Sequence, residues 1–99
     1  MAYVRKRDGR LAEFDQERIT NAIWKAVKAV GGKERNLAQG LSDQVVADLH
    51  ERVGVDGVPT VEEIQDLVEK TLIQNGHVRM AKAYILYRQQ HKEMREMAA

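Results

Sequence analysis

The first ten residues hold a dense group of side chains that could bind an anion. In the run Val4-Arg5-Lys6-Arg7-Asp8-Gly9-Arg10, four of the seven side chains are cationic. If the run begins as a strand, Val4 and Lys6 point to one face, and Arg7 and Arg10 lie at the turn that follows. An apolar wall beside clustered cations suits a planar heterocycle that carries phosphates, because the wall buries the ring and the cations neutralise the tail. The alternative is a solvated hairpin whose charges keep an edge strand from aggregating.

Groups that could perform catalysis are scarce in this sequence. It contains no Cys, which excludes disulfides, Cys-based zinc or iron–sulfur sites and a thiol nucleophile. His50, His77 and His91 belong to different predicted elements and lack metal-ligand spacing, and the single serine, Ser42, has no histidine near it in the sequence. No glycine-rich phosphate loop is present. We therefore expect no catalytic residue and no protein metal site, which favours a binding domain over an enzyme.

Length and composition predict one small globular domain spanning residues 1–99. The 99 residues are 43% hydrophobic and 31% charged, and a domain of this length has a radius of gyration of only ~13 Å. The longest apolar runs are a few residues, and the cationic N-terminus has no apolar segment of the signal-peptide type. We therefore expect a soluble, cytoplasmic protein without a membrane partner.

The formal charge of +1 conceals an uneven distribution along the chain. Residues 1–35 carry nine basic and five acidic side chains, residues 36–69 carry one and eight, and residues 70–99 carry six and two. This pattern predicts an anion-binding surface assembled from the two cationic ends. General affinity for nucleic acid is not expected, because the acidic middle would repel a phosphate backbone.

The N-terminal elements are predicted to be a β-hairpin followed by a helix. Short strands at 3–6 and 11–14 flank an Asp-Gly pair, which tolerates the positive φ angles of a tight turn. Asp15 is suited to capping a helix that then runs to Gly31-Gly32. One extended pair within residues 55–59 could join the hairpin as a third strand.

Three further helices are predicted by apolar spacing and capping residues. Apolar residues recur every four positions from Leu37 to Val53. Thr60 and Glu63 form a capping box for the next helix, which stops near residues 75–76, and a last helix covers about 78–97. Four helices and an N-terminal hairpin make a small α+β domain.

Four segments in the same order resemble the ATP-cone, the nucleotide-sensing module at the N-terminus of many ribonucleotide reductases. They are Val4-x-Lys6-Arg7-Asp8-Gly9, then Phe14-Asp15-x-Glu17-Arg18-Ile19 with Ala22-Ile23-x-Lys25-Ala26, then residues 59–69 (PTVEEIQDLVE), and finally residues 81–88 (AKAYILYR). The last segment is more similar to the anaerobic and cobalamin-dependent reductases than to the aerobic iron enzymes. The resemblance implies a four-helix bundle capped by a small β-sheet, with either the hairpin alone or three strands.

The resemblance also implies a ligand and the residues that hold it. ATP would activate and dATP would inhibit, with Mg²⁺ accompanying the triphosphate because its charge is about −4. Val4, Ile19 and Ile64 would enclose the adenine, and Lys6, Arg7 and Arg18 would hold phosphates. Asp15 and Gln65 would contact sugar or base, and Lys25, Arg88 and His91 would be secondary phosphate partners.

The partners implied are the catalytic domain or other subunits of a reductase, and a homo-oligomer whose state the nucleotide sets. Whether the chain is an excised regulatory domain or a stand-alone relative is left open by the sequence. Two alternatives also remain. One is the sensing part of a transcriptional repressor, although those repressors place a Cys-rich zinc ribbon ahead of the cone and this sequence has no Cys. The other is a protein-interaction module with a vestigial pocket.

Overall fold

The hairpin and the helices form in the predicted order. The computed structural model describes residues 1–98. Its elements are β1 (Tyr3–Arg5), β2 (Leu11–Glu13), α1 (Gln16–Ala29), α2 (Arg35–Val53), α3 (Val61–Gln74) and α4 (Val78–Ala98). The α+β class with four helices and an N-terminal hairpin is therefore confirmed. In residues 1–98, no helix combines the length and the apolar character that crossing a membrane requires.

The hairpin is closed by the Asp-Gly turn that the sequence predicts. Val4 pairs with Ala12 at the centre of the antiparallel register. The backbone N–H of Gly9 donates to the Lys6 carbonyl over 2.9 Å, and Gly9 has a φ of +87°. A side chain other than glycine is strained at that angle, which explains the residue type at this position.

The expected third strand is limited to one bridge between Arg5 and Thr60. The Arg5 N–H donates to the Pro59 carbonyl over 2.9 Å, next to that parallel bridge. Pro59 has no N–H to donate in return, and Thr60 is already the cap of α3, so the ladder cannot extend. The small sheet is consequently two-stranded over the residues that the structure describes.

Side-chain caps fix the start of two helices. Asp15 accepts a hydrogen bond from the Glu17 N–H at 3.0 Å, and Thr60 accepts one from the Glu63 N–H at 3.1 Å. α2 begins at Arg35 without a capping hydrogen bond from the Glu34 side chain, and the Arg35 guanidinium donates to Glu17 and Asn21 of α1.

The four helices surround one apolar core. α1 packs against α2 and α4, and α3 packs against the same two helices, which is the arrangement of a four-helix bundle. Each helix contributes fully buried or nearly buried side chains, among them Ile23, Leu49, Leu72 and Met80. Phe14, which follows β2, packs against this core and joins the hairpin to one end of the bundle.

The single serine has a structural role in the interior. Ser42 is fully buried, and the Thr20 hydroxyl donates to its Oγ over 2.7 Å. The Gln16 amide also donates to Ser42 Oγ, at 3.2 Å. This network joins α1 to α2, since it satisfies polar groups that burial would otherwise leave without partners.

Candidate functional site

An apolar pocket lies where the hairpin meets the bundle. We call it the slot; its volume is about 190 Å³, and β1, β2, α1, α3 and α4 all contribute to its walls. Seven predicted site residues line it: Val4, Lys6, Asp15, Arg18, Ile19, Ile64 and Gln65. The structure thus brings together side chains that are far apart in the sequence.

A cationic cavity adjoins the slot. We call it the basin; its volume is about 350 Å³, and its lining consists of Lys6, Arg7, Asp8, Arg10, Arg18 and Val61. Three of these residues, Lys6, Arg18 and Val61, also line the slot. The two cavities are therefore neighbours with a shared wall, as the predicted combination of a ring pocket and a phosphate site requires.

Regular secondary structure explains how these walls form. Strand alternation turns Val4 towards the bundle, and Lys6, two residues later, follows on the same side. On α3, Val61, Ile64 and Val68 recur at helical spacing and present one apolar face to the slot. The first turn of α3 also adds the partial positive charge of a helix N-terminus beside the basin.

The basin's cationic side chains all belong to residues 6–18. The expectation that both cationic ends of the chain build one surface is therefore not met by this cavity. Arg88, from the other end, instead donates to Asp66 over 3.0 Å and to Glu69 over 2.5 Å, which ties α4 to α3. Partial burial alone would lower the pKa of Arg88, but the hydrogen bonds to Glu69 and Asp66 raise it.

Two arginines of the basin are paired with carboxylates. Arg10 Nε lies 2.6 Å from Asp8 Oδ2 within the turn, and Arg7 Nε lies 2.5 Å from Glu62 Oε1 at the start of α3. The backbone N–H of Arg10 also donates to Asp8, and this hydrogen bond lowers the pKa of the Asp8 carboxyl. Asp8 therefore remains ionised and holds the turn in place at neutral pH.

The side chain of Gln65, a residue that lines the slot, has a buried oxygen that lacks a partner. Gln65 Oε1 is buried and has no hydrogen-bond partner among the residues that the structure describes. A buried acceptor without a donor is costly, so a ligand group that donates to it would be stabilised there. Gln65 was predicted as a sugar or base contact, and the Oε1 atom is suited to an N–H or O–H donor.

Several slot residues were not predicted from the sequence. These are Ala12, Glu13, Phe14, Ala22, Val61, Val68 and Tyr84. The helical spacing of Val61 and Val68 with Ile64 could have identified two of them. Tyr84 is almost fully buried, and this burial raises the pKa of its hydroxyl.

Two further predicted phosphate partners lie in another part of the bundle. Lys25 Nζ donates to the Tyr87 hydroxyl over 2.6 Å, and the His91 ring is centred 4.3 Å from the Tyr87 ring. Neither Lys25 nor His91 contributes to the walls of the slot or the basin. Their role as ligands, like that of Arg88, stays a prediction that this geometry does not support.

The fold and the site together define a small helical domain with a place for an apolar ring and an anionic tail. Across residues 1–98, no group of three or more His, Asp or Glu side chains is arranged to hold a metal ion. The arrangement provides an apolar pocket, a buried hydrogen-bond acceptor and a cationic cavity, which are features of a ligand-binding site.

Comparison with known proteins identifies the family. The family described as "ATP cone domain" matches residues 2–93, and the chain belongs to it. It is 40% identical to the vitamin B12-dependent ribonucleoside-diphosphate reductase of Thermoplasma acidophilum over 94% of this chain and 12% of that protein. The enzyme of the same name from Mycobacterium tuberculosis is 39% identical over 99% of this chain and 13% of that protein.

The relatives also include a reductase of the anaerobic type. The anaerobic ribonucleoside-triphosphate reductase of Salmonella typhimurium is 35% identical over 95% of this chain and 13% of that protein. The chain thus spans about one eighth of the length of these curated relatives. The predicted resemblance to ATP-cones, with anaerobic and B12-dependent reductases among the relatives, is confirmed.

Proposed function

We propose that this chain is an allosteric effector domain that binds adenine nucleotides and regulates a ribonucleotide reductase. ATP is the activating ligand and dATP the inhibiting ligand. The chain performs no chemistry itself; it is a regulatory part of an enzyme whose catalytic residues lie in the partner domain or subunit.

The position of the slot directly beside the basin is the observation that carries this proposal. Lys6 and Arg18 line both cavities, so one ligand can place a ring in the slot and phosphates among the cations. Lys6, Arg7 and Arg18 are the proposed phosphate ligands. Membership of the ATP-cone family, and relatives that are named as reductases, support adenine nucleotides as the ligand.

The sugar of the nucleotide is the proposed feature by which the domain distinguishes ATP from dATP. ATP and dATP differ by one 2′-hydroxyl, whose hydrogen bond contributes about 0.5–1.5 kcal/mol, or roughly twofold to tenfold in affinity. Affinity alone is therefore a poor switch. The hydroxyl instead changes how sugar and phosphates are seated, and this alters the surfaces that contact other subunits.

Mg²⁺ is proposed to arrive with the triphosphate. A triphosphate has a charge of about −4, which Lys6, Arg7 and Arg18 match only in part. The ion neutralises part of the remaining charge when it is bound to the phosphates, while the three side chains orient the tail in the basin.

Thermal unfolding with separate nucleotides tests the proposal. At 100 times its dissociation constant, a ligand that binds only the folded chain adds about 2.7 kcal/mol to the free energy of unfolding. We expect ATP and dATP to raise the melting temperature with and without Mg²⁺, and GTP at the same concentration to raise it less. An unchanged melting temperature with both adenine nucleotides would mean that the pocket is vestigial and would favour an interaction module.

A further inference from the structure

The ion pair between Arg7 and Glu62 differs from the other ion pair of the basin. Arg10 and Asp8 are two residues apart in the same turn, and their contact holds that turn together. Arg7 and Glu62 lie 55 positions apart, and their contact joins the hairpin to the first turn of α3. Only this second pair connects two different elements of the site.

A ligand has access to this pair. The Arg7 side chain is 39% exposed and that of Glu62 is 38% exposed, so water and dissolved anions reach both. Arg7 lines the basin, and Val61, directly before Glu62, lines both cavities. An anion that enters the basin therefore meets a guanidinium that already has an anionic partner.

Glu62 and a phosphate group offer Arg7 the same kind of contact. Carboxylate and phosphate oxygens both accept the parallel N–H donors of a guanidinium, and the phosphate carries the larger charge. An ion pair with this exposure contributes little to stability, so a polyphosphate can displace it. Glu62 also lowers the positive potential of the basin while it remains beside Arg7.

We propose that Glu62 is an internal competitor that occupies Arg7 until the phosphates of the effector displace it. This inference rests on the proposed function, because the effector's phosphates are the displacing group. Binding then exchanges the contact between hairpin and α3 for a contact between hairpin and ligand. Glu62 thereby lowers the affinity for polyphosphates. Because the displaced ion pair joins the hairpin to α3, a ligand in the basin also breaks the contact between these two elements.

The chain provides a matched control for Glu62. Glu63 is the next residue on α3, it carries the same charge, and it faces a different cavity, between α2 and α3. Glu62→Gln and Glu63→Gln remove equal charge from the same helix turn. Any difference between them in anion binding reports the contact with Arg7.

Titration calorimetry at low salt, below the melting temperature of each variant, provides the test. We expect Glu62→Gln to bind ATP about 1.5-fold to fivefold more tightly than the wild type and than Glu63→Gln. Adenosine, which has no phosphate, should bind all three proteins equally. In an Arg7→Ala background, Glu62→Gln should tighten binding less than it does in the wild type, because the competition for Arg7 is then absent.

Inorganic tripolyphosphate separates this inference from the proposed function. It probes the basin without a base, and we expect Glu62→Gln to bind it more tightly as well. Tripolyphosphate binding with this ranking, but no binding of ATP or dATP, would contradict the proposed function and leave the role of Glu62 intact. Weaker ATP binding by Glu62→Gln, as expected if Glu62 held Mg²⁺, or equal binding by both glutamine variants, would overturn the inference. So would the failure of tripolyphosphate to bind the wild type and Glu62→Gln.

Discussion

Lys6 occupies the junction of the slot and the basin, and its charge can therefore act on any anion that enters either cavity. It is half-buried at the end of β1, and its ammonium group can reach the basin while its stem covers apolar surface. We therefore expect Lys6 to influence phosphate binding more than an exposed lysine elsewhere on the chain does.

Replacing Lys6 should separate binding from stability. Hydrogen bonds to charged groups contribute about 1.5–3 kcal/mol, so we expect Lys6→Ala to weaken ATP binding by about tenfold to hundredfold in calorimetry. The melting temperature of the unliganded chain should hardly change. Lys33→Ala, which removes an exposed lysine between α1 and α2, is the control and should bind normally. Loss of folding in Lys6→Ala would show that the residue is structural.

Asp8 makes the turn of the hairpin sensitive to acid. The hydrogen bond from the Arg10 N–H holds the pKa of the Asp8 carboxyl below its ordinary value of 3.8. The contact therefore stabilises the turn above that pH, and the stabilisation is lost as the pH falls through the lowered pKa of the folded state.

An NMR titration measures this loss directly. We expect the Arg10 amide resonance to move with a midpoint below pH 3.8. In Asp8→Asn the same resonance should not follow that titration, because the carboxylate is absent. A midpoint at or above 3.8 in the wild type would contradict the contact that the structure shows.

The start of α3 serves both the fold and the site. Thr60 caps the helix, and Val61, Ile64 and Gln65 in its first turns line the slot. Loss of an N-cap costs about 1 kcal/mol. A helix that begins one residue later would also displace the slot wall that these residues form.

Removal of the Thr60 hydroxyl should therefore lower stability by a measurable amount. We expect Thr60→Ala to reduce the melting temperature by about 4–8 °C, since the domain is small. Thr60→Ser retains an oxygen that can accept from the Glu63 N–H and should melt close to the wild type. Equal melting of both variants, measured by circular dichroism, would mean that the cap contributes nothing.

The sequence predicts the helix starts and the turn that depend on residues close together in the chain. Asp15, Thr60 and the Asp8-Gly9 turn act through neighbours in the chain, so their effect is visible in the sequence. The third strand is limited to one bridge because Pro59 cannot donate and because Thr60 already caps α3. Which segment lies beside β1 depends on tertiary contacts.

The same division explains how much of the candidate site the sequence predicts. Strand alternation predicts that Val4 and Lys6 share one face of the hairpin, and in the structure both residues line the slot. Phe14, Ala22 and Tyr84 line the slot because the hairpin and three helices meet there, and helical periodicity does not specify which faces will meet. Periodicity predicts that a helix face is buried. The packing of the bundle determines whether that face contacts the core or lines the slot.

The whole molecule uses its two cationic segments for different purposes. The basin takes its positive charge from residues 6–18, whereas Arg88 neutralises Asp66 and Glu69 between α4 and α3. One segment therefore lines the basin, and Arg88 of the other joins two helices of the bundle. If the effector acts on other subunits as proposed, its signal starts at the hairpin, α1 or α3, which supply the lining of the basin.

The proposed regulation is visible as a change in assembly. If ATP and dATP stabilise two different oligomeric arrangements, a coupling of ~1–3 kcal/mol corresponds to a change of roughly 5- to 150-fold in the association constant. We expect sedimentation velocity to give different size distributions with saturating ATP and dATP, for this chain or for a reductase that carries it. Lys6→Ala should abolish the difference at concentrations that saturate only the wild type. Identical distributions with both nucleotides, in the chain and in the reductase, would contradict control by assembly, because each ligand must then favour the two arrangements equally.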